Sequence, residues 1–236
     1  MQIKAIALGS TRWQRFIRRW GVSFLIDEDI LFDTLGKPKV SLNNLKKFKV
    51  NLPNIKHIII SHDDWDHISG LWYLLPNQKD VTVYICFGFK QEIKQRIISF
   101  GVKLIEVKDM LQIKEKVYST GELYAESEGR KIYEQSLVID TGKGLGLICG
   151  CAHMGIVNIV KYVRKHFQKN IYWLIGGFHL KNNTDEENSI VIKQLKELGV
   201  SKIVPTHCTG KRAIRQMCKI FDSDVIQIKE GDIIEL

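Results

Sequence analysis

The chain contains 236 residues, and its 35 Lys and Arg against 26 Asp and Glu give a formal net charge of +9 at pH 7. A hydrophobic content of 44% can build a core, which excludes a disordered or fibrous chain. No apolar run approaches the ~18 residues that span a bilayer, and the first residues lack the apolar block of a signal peptide. We therefore expect a soluble cytoplasmic protein.

Short runs rich in β-branched residues predict strands along the whole chain. They are residues 3–8, 22–26, 30–32, 55–60, 81–86, 103–107, 136–139, 145–148, 171–175 and 202–204. Segments with helical spacing lie between them, at residues 90–100, 156–167, 186–198 and 211–221. This order predicts a mixed α/β (α+β) fold in which sheets pack together and helices cover them. With no repeat and no low-complexity linker, residues 1–236 are expected to form a single domain.

The segment from Arg12 to Trp20 combines aromatic residues with arginines. In a helix, its aromatic residues would share one face and its arginines would lie mostly on the other. Two interpretations stay open: a lid or clamp for an anion, or an amphipathic segment whose aromatics pack on the body of the protein. Arg12 and Arg15 are therefore candidate substrate-binding residues, together with Lys211 and Arg212 at the start of a predicted helix. Solvated surface charge is the alternative for these two.

The densest group of chemically active side chains directly follows the predicted strand 55–60. Five residues there can bind a metal, namely His62, Asp63, Asp64, Asp66 and His67. A loop at the end of a strand can bring several of them to one point, which a straight strand cannot. Imidazole and carboxylate together suit Zn²⁺, Mn²⁺ or Fe. The segment therefore predicts a metal site.

Three further histidines also follow apolar strands, namely His153, His179 and His207. A lone histidine in such a place is more often structural than a metal ligand. The same context recurs three times, each time beside a Gly or a Cys, which favours a shared role. The nearby cysteines Cys149, Cys151 and Cys208 are interpreted as small buried residues and are left out of the site.

These motifs resemble the metallo-β-lactamase superfamily. The segment from His62 to His67 matches its HxHxDH signature except that Asp64 replaces the second histidine. The sequences around His153, His179 and His207 further resemble the branch that contains dihydropterin-ribofuranosylaminobenzene phosphate synthases. The resemblance implies an αββα four-layer sandwich with a metal site at one edge.

The resemblance also implies a set of site residues. His62, Asp64 and His153 would hold one divalent ion, and Asp66, His67 and His207 would hold a second. Asp33 would orient these ligands through a hydrogen bond. We expect Zn²⁺ first, with Mn²⁺ and Fe as alternatives, and one or two ions in all.

Two departures from the superfamily pattern bear on this site. The place of the usual bridging aspartate reads Gly176-Gly177-Phe178-His179, so that either His179 supplies a ligand or a substrate contact, or the bridge is absent and the second site is weaker. Asp64 adds a negative charge to the first site, which would make that metal a poorer Lewis acid and favour harder ions such as Mn²⁺.

We therefore expect a hydrolase of a phosphoester or phosphorylated small molecule. Asp66 would accept a proton, and His179 would donate one to the leaving group or stabilise an oxyanion. A nuclease is an alternative, since the positive charge and the aromatic-arginine segment could follow a nucleic acid backbone. A third alternative is a metal-binding module without catalysis, because of Asp64 and the missing bridge.

Overall fold

The structure is a computed structural model that describes residues 1–127 and 129–236. It contains two large β-sheets. The first has seven strands in the order β15-β1-β2-β3-β4-β5-β6. Its strands are β1 (Gln2–Gly9), β2 (Gly21–Ile26), β3 (Ile30–Phe32), β4 (His57–Ile59), β5 (Thr82–Cys86), β6 (Lys103–Val107) and β15 (Ile233–Glu235).

The second large sheet has six strands in the order β14-β13-β12-β11-β8-β7. Its strands are β7 (Leu111–Lys114), β8 (Val117–Ser119), β11 (Leu137–Thr141), β12 (Gly144–Cys149), β13 (Ile171–Gly176) and β14 (Lys202–Pro205). A separate antiparallel pair consists of β9 (Leu123–Ser127) and β10 (Arg130–Glu134). Strands β3 to β6 are parallel to one another, as are β12 to β14, so several strands of each sheet end at a common edge.

Helices lie on the outer faces of the two large sheets and in the connections between strands. They are α1 (Arg12–Phe16), α2 (Pro38–Lys47), α3 (Trp65–Ile68), α4 (Leu71–Leu74), α5 (Gln91–Ile98), α6 (Ile156–Phe167), α7 (Asp185–Glu197) and α8 (Lys211–Phe221). Short 3-10 helices lie at Leu52–Asn54, Leu75–Asn77, His207–Thr209 and Asp222–Asp224. In the described parts of the chain, no helix is long and apolar enough to cross a membrane.

Three apolar layers separate these elements. The central layer joins residues of both sheets, among them Phe24 and Ile148. Side chains on the opposite faces of the strands pack against α2, α4 and α5 on one side and against α6, α7 and α8 on the other. Because successive side chains of a strand point to opposite faces, one strand serves two layers: in β12, Ile148 faces the central layer and Leu147 the helices. The result is the four-layer αββα sandwich that the sequence resemblance implied.

The segment from Arg12 to Trp20 differs from its prediction. Helix α1 ends at Phe16, and Arg18 has a φ of 56°, which is outside the helical region. Trp13 is 66% exposed and Phe16 is 79% exposed, so these aromatics do not pack on the body of the protein. Of the three aromatic residues, Trp20 alone is buried, because the chain turns back after the helix and packs the indole beside the ring of His207.

Candidate metal centre

Loops from both large sheets meet at the edge where the parallel strands end. The loop after β4 carries residues 61–67, and the loop after β12 carries His153. The loop after β13 carries His179, and the 3-10 helix after β14 begins at His207. The sequence thus places its polar residues at one edge because each group directly follows a buried strand.

His62, Asp64 and His153 form the first group. Asp64 Oδ2 lies 3.5 Å from His62 Nε2 and 3.8 Å from His153 Nε2. Both Nε2 atoms are buried, and neither has a hydrogen-bond partner among the described residues. Leaving such an atom unpaired costs about 1–3 kcal/mol, so its persistence indicates a partner of another kind. A divalent ion that accepts both imidazole nitrogens fits this arrangement.

Asp66, His67 and His207 form the second group. The Nε2 atoms of the two imidazoles lie 3.3 Å apart. Asp66 Oδ2 is 3.3 Å from His207 Nε2 and 3.5 Å from His67 Nε2. Two nitrogens and a carboxylate oxygen converge here, which is the type of donor set that binds Zn²⁺, Mn²⁺ or Fe.

Hydrogen bonds on the far side of the rings turn each Nε2 atom toward the site. Buried Asp33 accepts from His67 Nδ1 at 2.6 Å and from the backbone N–H of Ser61 at 2.7 Å. His62 Nδ1 donates to Ser61 Oγ at 2.8 Å, and that hydroxyl donates to Asp33 at 2.8 Å. His207 Nδ1 donates to the carbonyl oxygen of Gly9 at 2.9 Å. Such contacts fix the tautomer in which Nε2 is free to bind a metal.

The electrostatics of the site keep its carboxylates ionised. Burial works against ionisation of Asp64, but His62 and Arg130 lower the pKa of that carboxyl far below its usual range. Burial likewise opposes protonation of His62, whereas Asp64 and Glu134 raise the pKa of the imidazole to about 10. Burial and the neighbouring His62 lower the pKa of His153 to about 4. A proton on His62 therefore occupies the position that a metal ion would take.

Cys151 lies between the two groups. Its Sγ atom belongs to one set with His62 and His153 and to another with His67 and His207; within each set, all ligand atoms lie within 4.8 Å of one another. Sγ is 3.4 Å from His67 Nε2. The packing interpretation fits Cys149, which lies in the core under the helices, but not Cys151, which lies among the imidazoles.

A second thiol and His179 adjoin Cys151. The Sγ atoms of Cys208 and Cys151 are 3.2 Å apart, and the backbone N–H of His179 donates to Cys208 Sγ at 3.3 Å. Burial opposes ionisation of Cys208, but Cys151, His207 and His179 lower its pKa well below the usual range. Burial and Cys208 together raise the pKa of Cys151. His179 is exposed, and its ring lies 4.4 Å from that of His153, so it faces the cavity beside the first group.

Glu134 supports the loop that carries Cys151 and His153. This buried carboxylate ends β10 and accepts the backbone N–H groups of Cys151, Ala152 and His153 at 2.8, 2.9 and 2.6 Å. Burial would raise its pKa, but His62 and His153 lower it. The loop is thus held by a charged acceptor, Glu134, which no motif in the sequence had indicated.

Arg130 offsets the charge of the aspartates. It contacts Asp63 at 2.7 Å and Asp64 at 2.6 Å through separate guanidinium nitrogens. The negative charge that Asp64 brings to the site is therefore partly neutralised by a neighbouring cation. Neither Arg130 nor Glu134 follows a conspicuous motif, and only their position at the two ends of one short strand connects them to the site.

Four of the six candidate ligands, Asp64, Asp66, His153 and His207, line a cavity of about 580 Å³. Its rim includes Arg15, Trp20, Arg130 and Lys181. A second cavity, of about 460 Å³, is lined by Arg12, Arg15, Phe16 and Lys181. Burial and the neighbouring Arg15 lower the pKa of Lys181.

Among the predicted substrate-binding residues, Arg12 and Arg15 lie beside these cavities, while Lys211 and Arg212 line neither. Lys211 is exposed, and Arg212 instead donates to the carbonyl oxygen of Asn183 at 2.9 Å.

The four layers and the histidine-aspartate cluster at their edge define an enzyme of the metallo-β-lactamase fold. The model of the metallo-beta-lactamase superfamily matches residues 21–85. A 7,8-dihydropterin-6-methyl-4-(beta-D-ribofuranosyl)-aminobenzene-5'-phosphate synthase of Methanocaldococcus jannaschii is 30% identical, over 93% of this chain and 91% of the synthase. The chain belongs to the metallo-β-lactamase superfamily.

Solved structures agree with this assignment. Tm1679, a metal-dependent hydrolase of the beta-lactamase superfamily, has a TM-score of 0.79 and 28% identity, over 100% of this chain and 99% of its own. The metallo-beta-lactamase fold protein YhfI from Bacillus subtilis has a TM-score of 0.71 over 99% of both chains. Its identity of 14% makes it evidence for the fold alone.

Proposed function

We propose that the protein is a metal-dependent hydrolase that acts on a phosphorylated small molecule. The observation that carries this proposal is the pair of buried, unpartnered Nε2 atoms of His62 and His153, which converge beside Asp64 at a cavity with a cationic rim. Those nitrogens are oriented as metal ligands, and the rim suits an anionic substrate.

Two divalent ions would be held by this chain. His62, Asp64 and His153 would bind one, and Asp66, His67 and His207 the other, with Cys151 in reach of both. When bound, such ions activate water as a nucleophile at neutral pH and stabilise negative charge on the substrate oxygen. We expect Zn²⁺ because imidazole and thiolate are its preferred ligands, and Mn²⁺ or Fe where the carboxylates dominate.

The protein's own groups would orient the substrate and move its protons. Asp66 is ionised, since His67 and His207 lower the pKa of its carboxyl despite burial, and it can accept a proton from attacking water. His179 faces the cavity from the opposite loop, and the neighbouring Cys208 raises its pKa. It can donate a proton to the leaving group. Arg15 and Lys181 at the rim would bind the anionic part of the substrate.

The relative from Methanocaldococcus jannaschii supports a phosphorylated substrate, because the name of that synthase describes a 5'-phosphate. The same name favours a second candidate function. The match to this synthase covers almost the whole length of both chains, which makes a synthase the second candidate function. In that case the cavity would hold a second substrate in place of the attacking water.

The first experiment is elemental analysis of wild type, His62→Ala and His207→Ala. It is combined with an assay of bis-p-nitrophenyl phosphate hydrolysis after addition of Zn²⁺, Mn²⁺ or Fe²⁺. We expect about two ions per chain, with about one lost in each variant, and metal-dependent cleavage in the wild type only. Bound metal without turnover under any ion would contradict the hydrolase and favour the synthase or a non-catalytic metal-binding module. Salt-sensitive binding of single-stranded nucleic acid would instead support the nuclease alternative.

A further inference from the structure

Three cations line the smaller cavity without a carboxylate to neutralise them. Arg12 and Arg15 extend from α1, and Lys181 follows β13; all three line one cavity of about 460 Å³. Within the described residues, none of the three side chains takes part in an ion pair. Like charges brought this close repel one another, so the arrangement costs free energy unless an anion joins it.

The backbone holds Lys181 in this position. Its N–H donates to the carbonyl oxygen of Cys208 at 3.1 Å. Gly210, which has a φ of 81°, lies so close that a Cβ atom there would be 2.7 Å from the Cα of Lys181. The lysine is therefore fixed to the same short segment that presents His207 to the metal centre.

Trp20 connects the cations to that centre. Its buried indole lies 4.7 Å from the ring of His207, measured between centroids. Lys181 Nζ is 4.8 Å from the centroid of the same indole, and Arg15 Cζ is 6.0 Å from it. Distances of this size allow cation–π attraction, which partly offsets the repulsion between the two side chains.

The cavity that these cations line is separate from the candidate ligands but adjoins the cavity that the ligands line. None of the predicted metal ligands lines it, whereas Arg15 and Lys181 line both cavities. A molecule that extends across both would place its charged end against the cations and its other end against the imidazoles. Exposed Phe16 offers an apolar contact for the part beside the charged end.

We propose that Arg12, Arg15 and Lys181 bind a phosphate monoester of the substrate as a handle, away from the bond that reacts. This proposal rests on the proposed function and narrows its substrate class to extended molecules that carry a terminal phosphate. A phosphate dianion fits better than a single carboxylate, because two guanidinium groups can each bind it in a forked geometry while the ammonium supplies a third charge.

The test uses phenylphosphonate, a phosphate-monoester analogue whose C–P bond resists hydrolysis, and isothermal titration calorimetry. Binding to the metal-loaded protein is compared with binding to protein treated with a chelator. The variants are Arg15→Gln and Lys181→Gln, and the control is Lys193→Gln, which removes the same charge from an exposed position on α7 that lines neither cavity. Uncharged benzyl alcohol is the control ligand.

We expect each of the two rim variants to weaken phenylphosphonate binding by about tenfold or more, since a charge-assisted hydrogen bond is lost. Lys193→Gln and removal of the metal should leave the affinity unchanged, and benzyl alcohol should not bind. Unchanged affinity in both rim variants would overturn the proposal. So would binding that disappears with the metal, because the phosphonate would then be a metal ligand. Loss of metal-dependent turnover with intact phosphonate binding would contradict the proposed hydrolase and not the handle.

Discussion

Asp33 shows how one buried carboxylate can set the geometry of a metal site. It lies just after β3, with a φ of 56°, and accepts hydrogen bonds from the imidazole of His67 and from both the backbone and the hydroxyl of Ser61. Through Ser61 it also reaches His62. One side chain therefore orients an imidazole in each ligand group.

We expect Asp33→Asn to lower metal affinity by about 10–100-fold, because an amide is a weaker acceptor for His67 Nδ1 and can present a donor instead. Competition with a chelating dye measures the affinity. Asp80→Asn is the matched control, since Asp80 is an exposed partner of Lys56 just before β5. Equal affinities for Asp33→Asn and wild type would show that the imidazoles are oriented without this carboxylate.

The sequence predicted that Cys151 is only a small buried residue, whereas the structure places its sulfur among the imidazoles. We expect cobalt-substituted wild-type protein to show a thiolate-to-cobalt charge-transfer band in the near ultraviolet, because a coordinating thiol loses its proton to the metal. Cys151→Ser should abolish the band, whereas Cys218→Ser on α8 should keep it. A band that survives in Cys151→Ser would exclude this sulfur as a ligand.

The residues that the sequence did predict share a local signal. His62, His153 and His207 each follow a buried strand directly, so chain order alone places them near one edge. Glu134 and Lys181 gave no such signal, because their importance depends on the groups that the fold brings to them. For Glu134 these are backbone N–H groups, which no side-chain pattern reveals.

At the scale of elements, the loop between β12 and α6 depends on β10. Glu134→Ala would leave the N–H groups of Cys151, Ala152 and His153 without their acceptor. We expect it to lower the free energy of unfolding by about 2–4 kcal/mol and to reduce the metal content. Urea denaturation measures the first effect and elemental analysis the second. The control is Glu126→Ala, on the exposed side of the same hairpin, which should change the free energy of unfolding by less than ~0.5 kcal/mol. Similar losses of unfolding free energy in the two variants would refute a specific role for Glu134.

The predicted and observed elements differ for physical reasons. Helix α6 has its predicted bounds because Ile156, Ile159, Val160 and Val163 form a buried stripe with helical spacing. Helix α2 was missed, since only Ser41 and Leu45 are fully buried and the apolar pattern is weak. The pair β9 and β10 was also missed, because its strands lack a run of β-branched residues and form a separate sheet outside the two large ones.

The local sequence predicts the start of helix α1 but not its end. Thr11 and Gln14 form a capping box that starts the helix. The spacing of Trp13, Phe16 and Trp20 then predicts one long apolar face, but the helix ends before Trp20. No local pattern indicates that the indole of Trp20 packs against His207 instead.

On the scale of the whole molecule, the candidate metal site joins the two large sheets. The segment 61–67 follows a strand of the first sheet, whereas His153 and His207 follow strands of the second. Each ligand group therefore contains residues from both. A metal ion held in this way connects the two halves of the sandwich, and its binding free energy adds to the stability of the fold.

We expect metal at about 1,000 times its dissociation constant to stabilise the wild-type protein by about 4 kcal/mol, since it binds the folded state. Thermal unfolding with and without a chelator measures the difference as a shift in Tm. The shift should shrink in His62→Ala and persist in His166→Gln, which changes an exposed histidine on α6. A Tm that does not respond to the chelator, in protein shown to contain metal, would contradict this coupling.

The Sγ atoms of Cys151 and Cys208 lie 3.2 Å apart, which makes the site sensitive to oxidation. Hydrogen peroxide can oxidise Cys151 and Cys208 to a disulfide while it is reduced to water, and the two sulfurs then no longer offer a thiolate to a metal ion. Protein purified in air would then contain less metal than protein purified with a reductant, although its sheets and helices are the same. The metal content of the purified protein would then depend on the oxidation state of these two thiols as well as on the metal affinity of the site.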